Sequence, residues 1–294
     1  MTPAPVDAYL TCLAAERRLS PHTLAAARRD LGKLVTHTGG RPLDTLSVDD
    51  IRHAIVRLRA AGLSPRSVAR HLSSWRGFYA FACRRLGFGA NPCVGLRPPR
   101  AARALPATLS PDACTQLLDR LPDNALEIRD RALFELIYSS GLRLAEVVGL
   151  NLGDIDFAAG EARVTGKGSK TRIVPVGSQA CAALRAWLPL RQQQAQAGVH
   201  ALFINQRGAR ISPRGVQLRL KRWAIRAGLP QHVHPHLLRH AFATHVLQSS
   251  GDLRAVQELL GHASISTTQV YTHLDWQHLA RTYDQAHPRA RRKP

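Results

Sequence analysis

The sequence predicts a mainly α chain of two domains. These are an N-terminal four-helix bundle (residues 1–88) and a mostly helical C-terminal domain (residues 109–294) with a small antiparallel β-sheet. Three observations predict it. Serine–proline pairs recur where helices can begin, at Ser20-Pro21, Ser64-Pro65 and Ser110-Pro111. Apolar residues keep a helical spacing through residues 5–86. One stretch, residues 154–176, breaks that spacing with short β-branched runs around a glycine-rich turn.

A first helix is predicted over Val6–Arg18 and a second over Pro21–Thr36, started by the Ser20 hydroxyl. Ser47 opens a third, in which Val48, Ile51, Ile55 and Leu58 share a face. The fourth follows Ser64-Pro65, with Val68, Leu72, Trp75, Phe78 and Tyr79 inward and Arg66, Arg70 and Arg76 outward. Prolines, glycines and arginines then crowd residues 89–108, which fit an exposed linker; it serves as a plain hinge, as a strap along a phosphate backbone, or as both. In the second domain Ser110-Pro111-Asp112 caps a helix, and Glu127–Ser140 forms another that Gly141 stops. Strands are expected at Ala162–Thr165 and Arg172–Val176. Helices resume at Ser178–Gln196, Pro213–Ala227, Pro235–Gln248, Leu253–Leu260 and Thr267–Leu274. Strands and helices do not alternate, which excludes a doubly wound parallel sheet.

Charge narrows the partner. The chain has 41 basic residues against 20 acidic ones, a formal charge of +21, and only five of the basic residues are lysine. A GC-rich genome accounts for arginine over lysine but not for the twofold excess of cations. The guanidinium fork matches phosphate oxygens, so a nucleic-acid partner is expected. The five cysteines, Cys12, Cys83, Cys93, Cys114 and Cys181, are scattered without a C-x-x-C pair, which argues against a disulfide framework and a zinc knuckle. The N-terminus lacks a basic segment followed by an apolar run, and no stretch approaches the about 20 apolar residues of a membrane span. The expectation is a soluble cytoplasmic protein with no membrane insertion.

Four motifs can carry chemistry, each ambiguous alone. GKGSKT (166–171) has the look of a phosphate loop, but glycine follows Lys167 where a P-loop needs Ser or Thr. The turn instead puts Lys167 at the tip or shoulder of a hairpin, where a lone lysine is most often solvated surface. HLLRH (236–240) lacks the glutamate of a zinc-protease helix, and Arg239 points where a dication would sit. His236 and Arg239, three apart, share a helical face suited to an anion, and a plain surface helix fits as well. In GLRLAE (141–146), Glu146 lies one turn beyond Arg143 and can hold its guanidinium, or form an ordinary surface pair. In LLGHASISTTQVYTHL (259–274), His262 follows a helix stop and Tyr271 sits among polar residues, although tyrosine is often a core residue.

Together the motifs form one device. Breaking a phosphodiester through a covalent intermediate needs a nucleophile, cations for the growing negative charge, and an acid for the leaving oxygen. The order Arg143, Lys167, His236-x-x-Arg239, His262, Tyr271 resembles the tyrosine recombinase (phage-integrase) family over nearly the whole chain, and every catalytic position of that pattern is filled. The resemblance implies a two-domain clamp around DNA. It also implies strand cutting and rejoining through a 3′-phosphotyrosyl bond, without a metal or other cofactor. Arg143 and Arg239 then resemble the phosphate-gripping arginines, Lys167 the general acid, His236 the base or phosphate ligand, His262 the second histidine and Tyr271 the nucleophile. Glu146 falls where the family often places an acidic residue.

The insertion-free layout further resembles the Xer recombinases, which resolve chromosome dimers. The ending, in LDWQHLA and YDQAHPRA, resembles one partner of that pair more than the other. That subgroup implies a DNA site shared with a second Xer-type recombinase in a heterotetramer, and a DNA translocase at the septum. A C-terminal helix near Trp276–Ala286 would dock on a neighbour or pack on its own domain. Arg28, Arg66, Arg70 and Arg76 are candidate DNA contacts. A mobile-element integrase shares the chemistry. A DNA-binding protein without catalysis and a His-ligated metalloenzyme are the readings from other classes.

Overall fold

Short polar residues just ahead of proline set the helix starts. The computed structural model describes residues 3–99, 108–166, 170–260 and 282–290. The chain divides into two units, Met1–Leu105 and Pro106–Pro294. In the first, α1 (Ala4–Ala15), α2 (Pro21–His37), α3 (Val48–Ala60) and α4 (Pro65–Arg85) form the expected bundle. Ser20 and Ser64 each accept from the backbone N–H three residues on, at 3.3 and 3.2 Å. Ser47 forms a reciprocal box with Asp50, whose carboxylate accepts from the Ser47 N–H at 2.8 Å. Helix α1 stops at Ala15, short of the expected Arg18, because Arg18 takes a left-handed φ of 47°.

The bundle closes around Leu31, Leu34, Ile51, Leu58, Val68, Leu72, Trp75, Phe78 and Tyr79. Val48, expected on the inward face, is exposed because it occupies the first turn of α3. Two of the buried aromatic side chains bond to backbone carbonyls within this unit. Trp75 donates to the carbonyl of Asp30 at 2.7 Å and Tyr79 to that of Leu43 at 3.0 Å. Arg70 pairs with the buried Asp30 carboxylate. Arg76, expected to point outward, is half-buried and donates to the Leu96 carbonyl at 2.8 Å, tying α4 to the turn that follows it.

The second unit is built on α6 (Ala125–Ser140), which is buried along most of its length. Packed with it are α5 (Pro111–Asp119), α7 (Leu144–Gly149), α8 (Ser178–Gln194), α9 (Pro213–Arg226), α10 (Pro235–Ser250) and α11 (Leu253–Leu260). Sequence spacing did not foresee α7, a six-residue helix directly after the Gly141 stop. The sheet is antiparallel in the order β1 (Ile155–Asp156), β2 (Glu161–Thr165), β3 (Thr171–Pro175), so a short third strand joins the expected two. In β2 and β3, Val164 lies opposite Arg172 and Thr165 opposite Thr171. The predicted helix Thr267–Leu274, and residues 276–281 of the predicted C-terminal helix, lie outside the described residues.

Residues 282–290 pack on α6 through polar bonds as well as apolar contact. The Tyr283 and Ser139 hydroxyls share a hydrogen bond at 2.7 Å, and Ser139 also accepts from the Gly177 N–H at 2.8 Å. His287 donates from Nε2 to the Tyr138 carbonyl at 3.2 Å. Arg289 donates from Nε to Glu135 at 3.0 Å and pairs with Asp119 at 2.8 Å. A Cβ on Gly177 would fall 2.6 Å from both the Arg289 carbonyl and the Tyr283 hydroxyl, so glycine is needed for this segment to fit. Among the described residues no helix is long and apolar enough to cross a membrane.

Candidate active site

Gly141 makes the corner on which the site is built. It ends α6 with a left-handed φ of 58°, and a Cβ there would run into the Phe242 ring of α10. The chain turns at once into α7, with Arg143 as its N-cap residue. Glu146, three residues on, accepts from the Arg143 backbone N–H at 2.8 Å and from its Nη1 at 2.8 Å. A carboxylate in the first helical turn is favourable in itself, because it meets unpaired N–H groups and the positive end of the helix.

Helix α10 supplies the second arginine. His234 caps it, its Nδ1 accepting from the Leu237 N–H at 3.2 Å, and Pro235 sits at the first helical position. One turn along, Arg239 donates to the carbonyls of Gly141 and Leu260, the latter at 2.8 Å. Its Nη1 also lies 3.9 Å from Glu146 Oε2. His236 is exposed on the same helix, and its ring stacks with that of His234 at 6.4 Å between centroids.

A third guanidinium meets the same carboxylate. Arg172, on β3, donates from Nη1 to Glu146 Oε1 at 2.8 Å and from Nη2 to Oε2 at 3.0 Å. Motif spacing did not single it out, since it sits 26 residues from Glu146 on another element. Its one visible signal was alternation: Arg172 shares a strand face with the buried Val174.

The electrostatics follow from this crowding. The Glu146 side chain is only 3% exposed, and Arg143, Arg172 and Arg239 are 41%, 10% and 7% exposed. Burial alone would raise the Glu146 pKa, yet hydrogen bonds from Arg172 and Arg143 outweigh it and leave the carboxyl below its ordinary range. Arg239 is pushed down to about 10, by burial first and then by the nearby Arg143 charge, so it stays cationic at neutral pH. Three guanidiniums against one carboxylate leave a net positive charge in a partly desolvated pocket. Such a pocket can hold an oxyanion, with Arg143 the most accessible of the three donors.

The structure thus brings together Arg143, Glu146 and Arg239, with Arg172 added, and places His236 one turn before Arg239. Lys167, His262 and Tyr271 lie outside the described residues. At the base of the Lys167 turn, Gly166 donates to the Lys170 carbonyl at 2.8 Å. His245, in contrast, is internal: Nε2 donates to the Leu109 carbonyl at 2.9 Å and Nδ1 accepts from the Tyr138 hydroxyl at 2.8 Å. In the first unit Arg66 is exposed, and Arg28 pairs with Asp7 at 3.2 Å in an exposed ion pair.

This arrangement has known counterparts. Residues 107–278 match the phage integrase family, and residues 6–86 match the phage integrase N-terminal SAM-like domain. The chain belongs to the phage integrase family, the tyrosine-type site-specific DNA recombinases. Within it the chain is XerC-like. It is 54% identical to the tyrosine recombinase XerC of Azotobacter vinelandii over 294 residues, covering 99% of this chain and 98% of the relative. It is 52% identical to XerC of Pseudomonas syringae pv. syringae over 292 residues, covering 98% and 97%. The fold matches a solved XerH site-specific recombinase, bound to a palindromic difH substrate after cleavage. That match has a TM-score of 0.70 at 22% identity and covers 95% of this chain and 83% of that one.

Proposed function

We propose that the chain cuts and rejoins double-stranded DNA at a specific site, with Tyr271 as nucleophile. The observation that carries this reading is the meeting of Arg143 and Arg239, from separate elements, at one buried carboxylate. The two arginines grip the nonbridging oxygens of the scissile phosphate. The Tyr271 oxygen attacks phosphorus, its proton passing to His236, and a 3′-phosphotyrosyl bond forms as the bond to the 5′ oxygen breaks. Lys167 protonates that leaving oxygen, and His262 adds a donor to the phosphate. The energy of the broken bond is kept in the phosphotyrosine, so the strand can be rejoined.

The XerC relatives support a role in resolving chromosome dimers at cell division. In that role the chain shares its site with a XerD-like second recombinase in a heterotetramer, under a DNA translocase at the septum, and works on the nucleoid in the cytoplasm. Residues 1–88 and 109–294 each contribute a DNA-binding domain, joined by residues 89–108. Arg28, Arg66 and Arg70 contribute to the DNA-facing charge of the first domain, whereas Arg76, held on the Leu96 carbonyl, does not.

The test is adduct formation on a nicked duplex carrying the recombination site, in the presence of EDTA. A covalent protein–DNA species is expected from the unaltered chain and none from Tyr271→Phe. Adduct formation by Tyr271→Phe would overturn the assignment.

A further inference from the structure

Glu146 has two oxygens, and each already accepts two hydrogen bonds. Oε1 takes Nη1 of Arg143 and Nη1 of Arg172; Oε2 takes the Arg143 backbone N–H and Nη2 of Arg172. That fills the usual acceptor capacity of a carboxylate, and Arg239 stands off at 3.9 Å. Arg172 supplies half of these bonds through the planar fork that lysine lacks.

Arg172 is itself enclosed. Its side chain is 10% exposed and its donors face inward, to Glu146 and, at 3.4 Å, to the Leu259 carbonyl. It is therefore badly placed to meet a DNA phosphate directly. The neighbouring carbonyl, Leu260, is held by Arg239, so the two arginines clasp consecutive carbonyls at the end of α11.

The strand that carries Arg172 returns from the Lys167 turn. Arg172 lies opposite Val164 in the ladder, and the Gly166–Lys170 bond closes the base of the turn at 2.8 Å. A Cβ on Gly166 would lie 3.4 Å from Glu146 Oε1 and 3.6 Å from Arg172 Nη1. The hairpin base thus comes close against the carboxylate, and Arg172 pins it there.

We infer that Arg172 is a positioning residue of the active site: it fixes the Glu146 carboxylate that orients Arg143 and anchors the hairpin bearing Lys167 to it. Without Arg172, each Glu146 oxygen has a vacant acceptor position, and Arg239, at 3.9 Å, is the next guanidinium after Arg143. The carboxylate turns toward Arg239 and takes the Arg143 side chain with it. This inference rests on the reading of Arg143 and Arg239 as the phosphate-gripping pair.

The experiment measures single-turnover cleavage and equilibrium binding on a nicked duplex with which the unaltered chain forms a covalent adduct. The variants are Arg172→Lys, Arg172→Met, Glu146→Gln and the Arg172→Met/Glu146→Gln pair. Both Arg172 variants are expected to cleave at least about tenfold more slowly, with DNA affinity within about threefold, as misplacement of a catalytic group predicts. The pair is expected to cost no more than its worse single, because both changes break one linkage.

Independent losses in the pair, unchanged cleavage in both Arg172 variants, or a rate loss explained wholly by weaker binding would each overturn the inference. If Arg172→Met does not fold, the rate and affinity of Arg172→Lys carry the test. Arg143→Gln run in parallel separates the two levels. If it cleaves normally, the phosphate-clamp reading fails and this inference with it. If it is inactive while the Arg172 variants are normal, only this inference fails.

Discussion

Arg239 donates from Nη2 to the carbonyl of Leu260 at 2.8 Å, so a side chain of α10 closes the C-terminal end of α11. The same guanidinium bonds the Gly141 carbonyl at the end of α6. Two helix ends, each with unpaired carbonyls by construction, are thereby satisfied by one buried cation.

Replacing Arg239 by lysine keeps the charge but reaches one carbonyl at most. The buried carbonyl left over costs about 1–3 kcal/mol, readable as a lower urea midpoint. Adduct formation on nicked DNA is expected to fall by about 10²-fold or more, the scale of losing one preorganised donor to a transition-state oxyanion.

Gly141→Ala brings two penalties to one position. Alanine is strained at a φ of 58°, at about 1 kcal/mol, and its methyl group collides with Phe242. Melting is expected to drop by several degrees. Trimming the obstacle in Gly141→Ala/Phe242→Leu should recover part of the loss relative to the sum of the singles; strictly additive losses would deny the contact.

Arg289 and Glu135 form a buried pair that docks residues 282–290 on α6. Burial raises the Glu135 pKa and Arg289 counteracts it. Arg289→Met strands that carboxylate and is expected to cost about 3–5 kcal/mol. The Arg289→Met/Glu135→Gln double variant should be markedly less unstable than the single, and denaturant titration of the four species closes the cycle.

His287 gives the second unit a defined acid sensitivity. Burial, together with the His245 and Arg289 charges, lowers its pKa to about 3, against partial compensation by the bond to Tyr138. The unfolded chain binds this proton below about pH 6.5 and the folded one does not, so stability falls as pH drops from about 6.5 to about 3. His245, also lowered by burial, adds to the same slope. His287→Gln is expected to remove about 1.4 kcal/mol per pH unit from that slope, measured by urea midpoints at successive pH values.

What could be read from sequence followed the range of each interaction. Ser20, Ser47, Ser64 and Ser110 announced their helices because a cap bonds to a residue three positions away. The Arg143–Glu146 pair was visible for the same reason. Arg172 escaped notice because its partner lies across the fold, and a strand arginine is ordinarily solvated. The polar anchoring of residues 282–290 escaped too: Tyr283, His287 and Arg289 acquire meaning only against Ser139, Tyr138 and Glu135, about 150 residues earlier. Helix α7 is too short to show a periodicity, although its capping Arg143 and Glu146 were both in view.

The buried arginines also bear on how tightly this chain should hold a polyanion. Arg129 and Arg289 lie inside the fold beside Asp130 and Glu135, and Arg191 is committed to the carbonyls of Ala201 and Val199. The formal charge of +21 therefore overstates what a duplex would meet. Only guanidiniums that reach phosphate displace condensed sodium or potassium ions, each contributing about 0.9 to the slope of log K against log salt. The steepness of that plot would count the arginines facing the DNA, apart from those that hold the protein together.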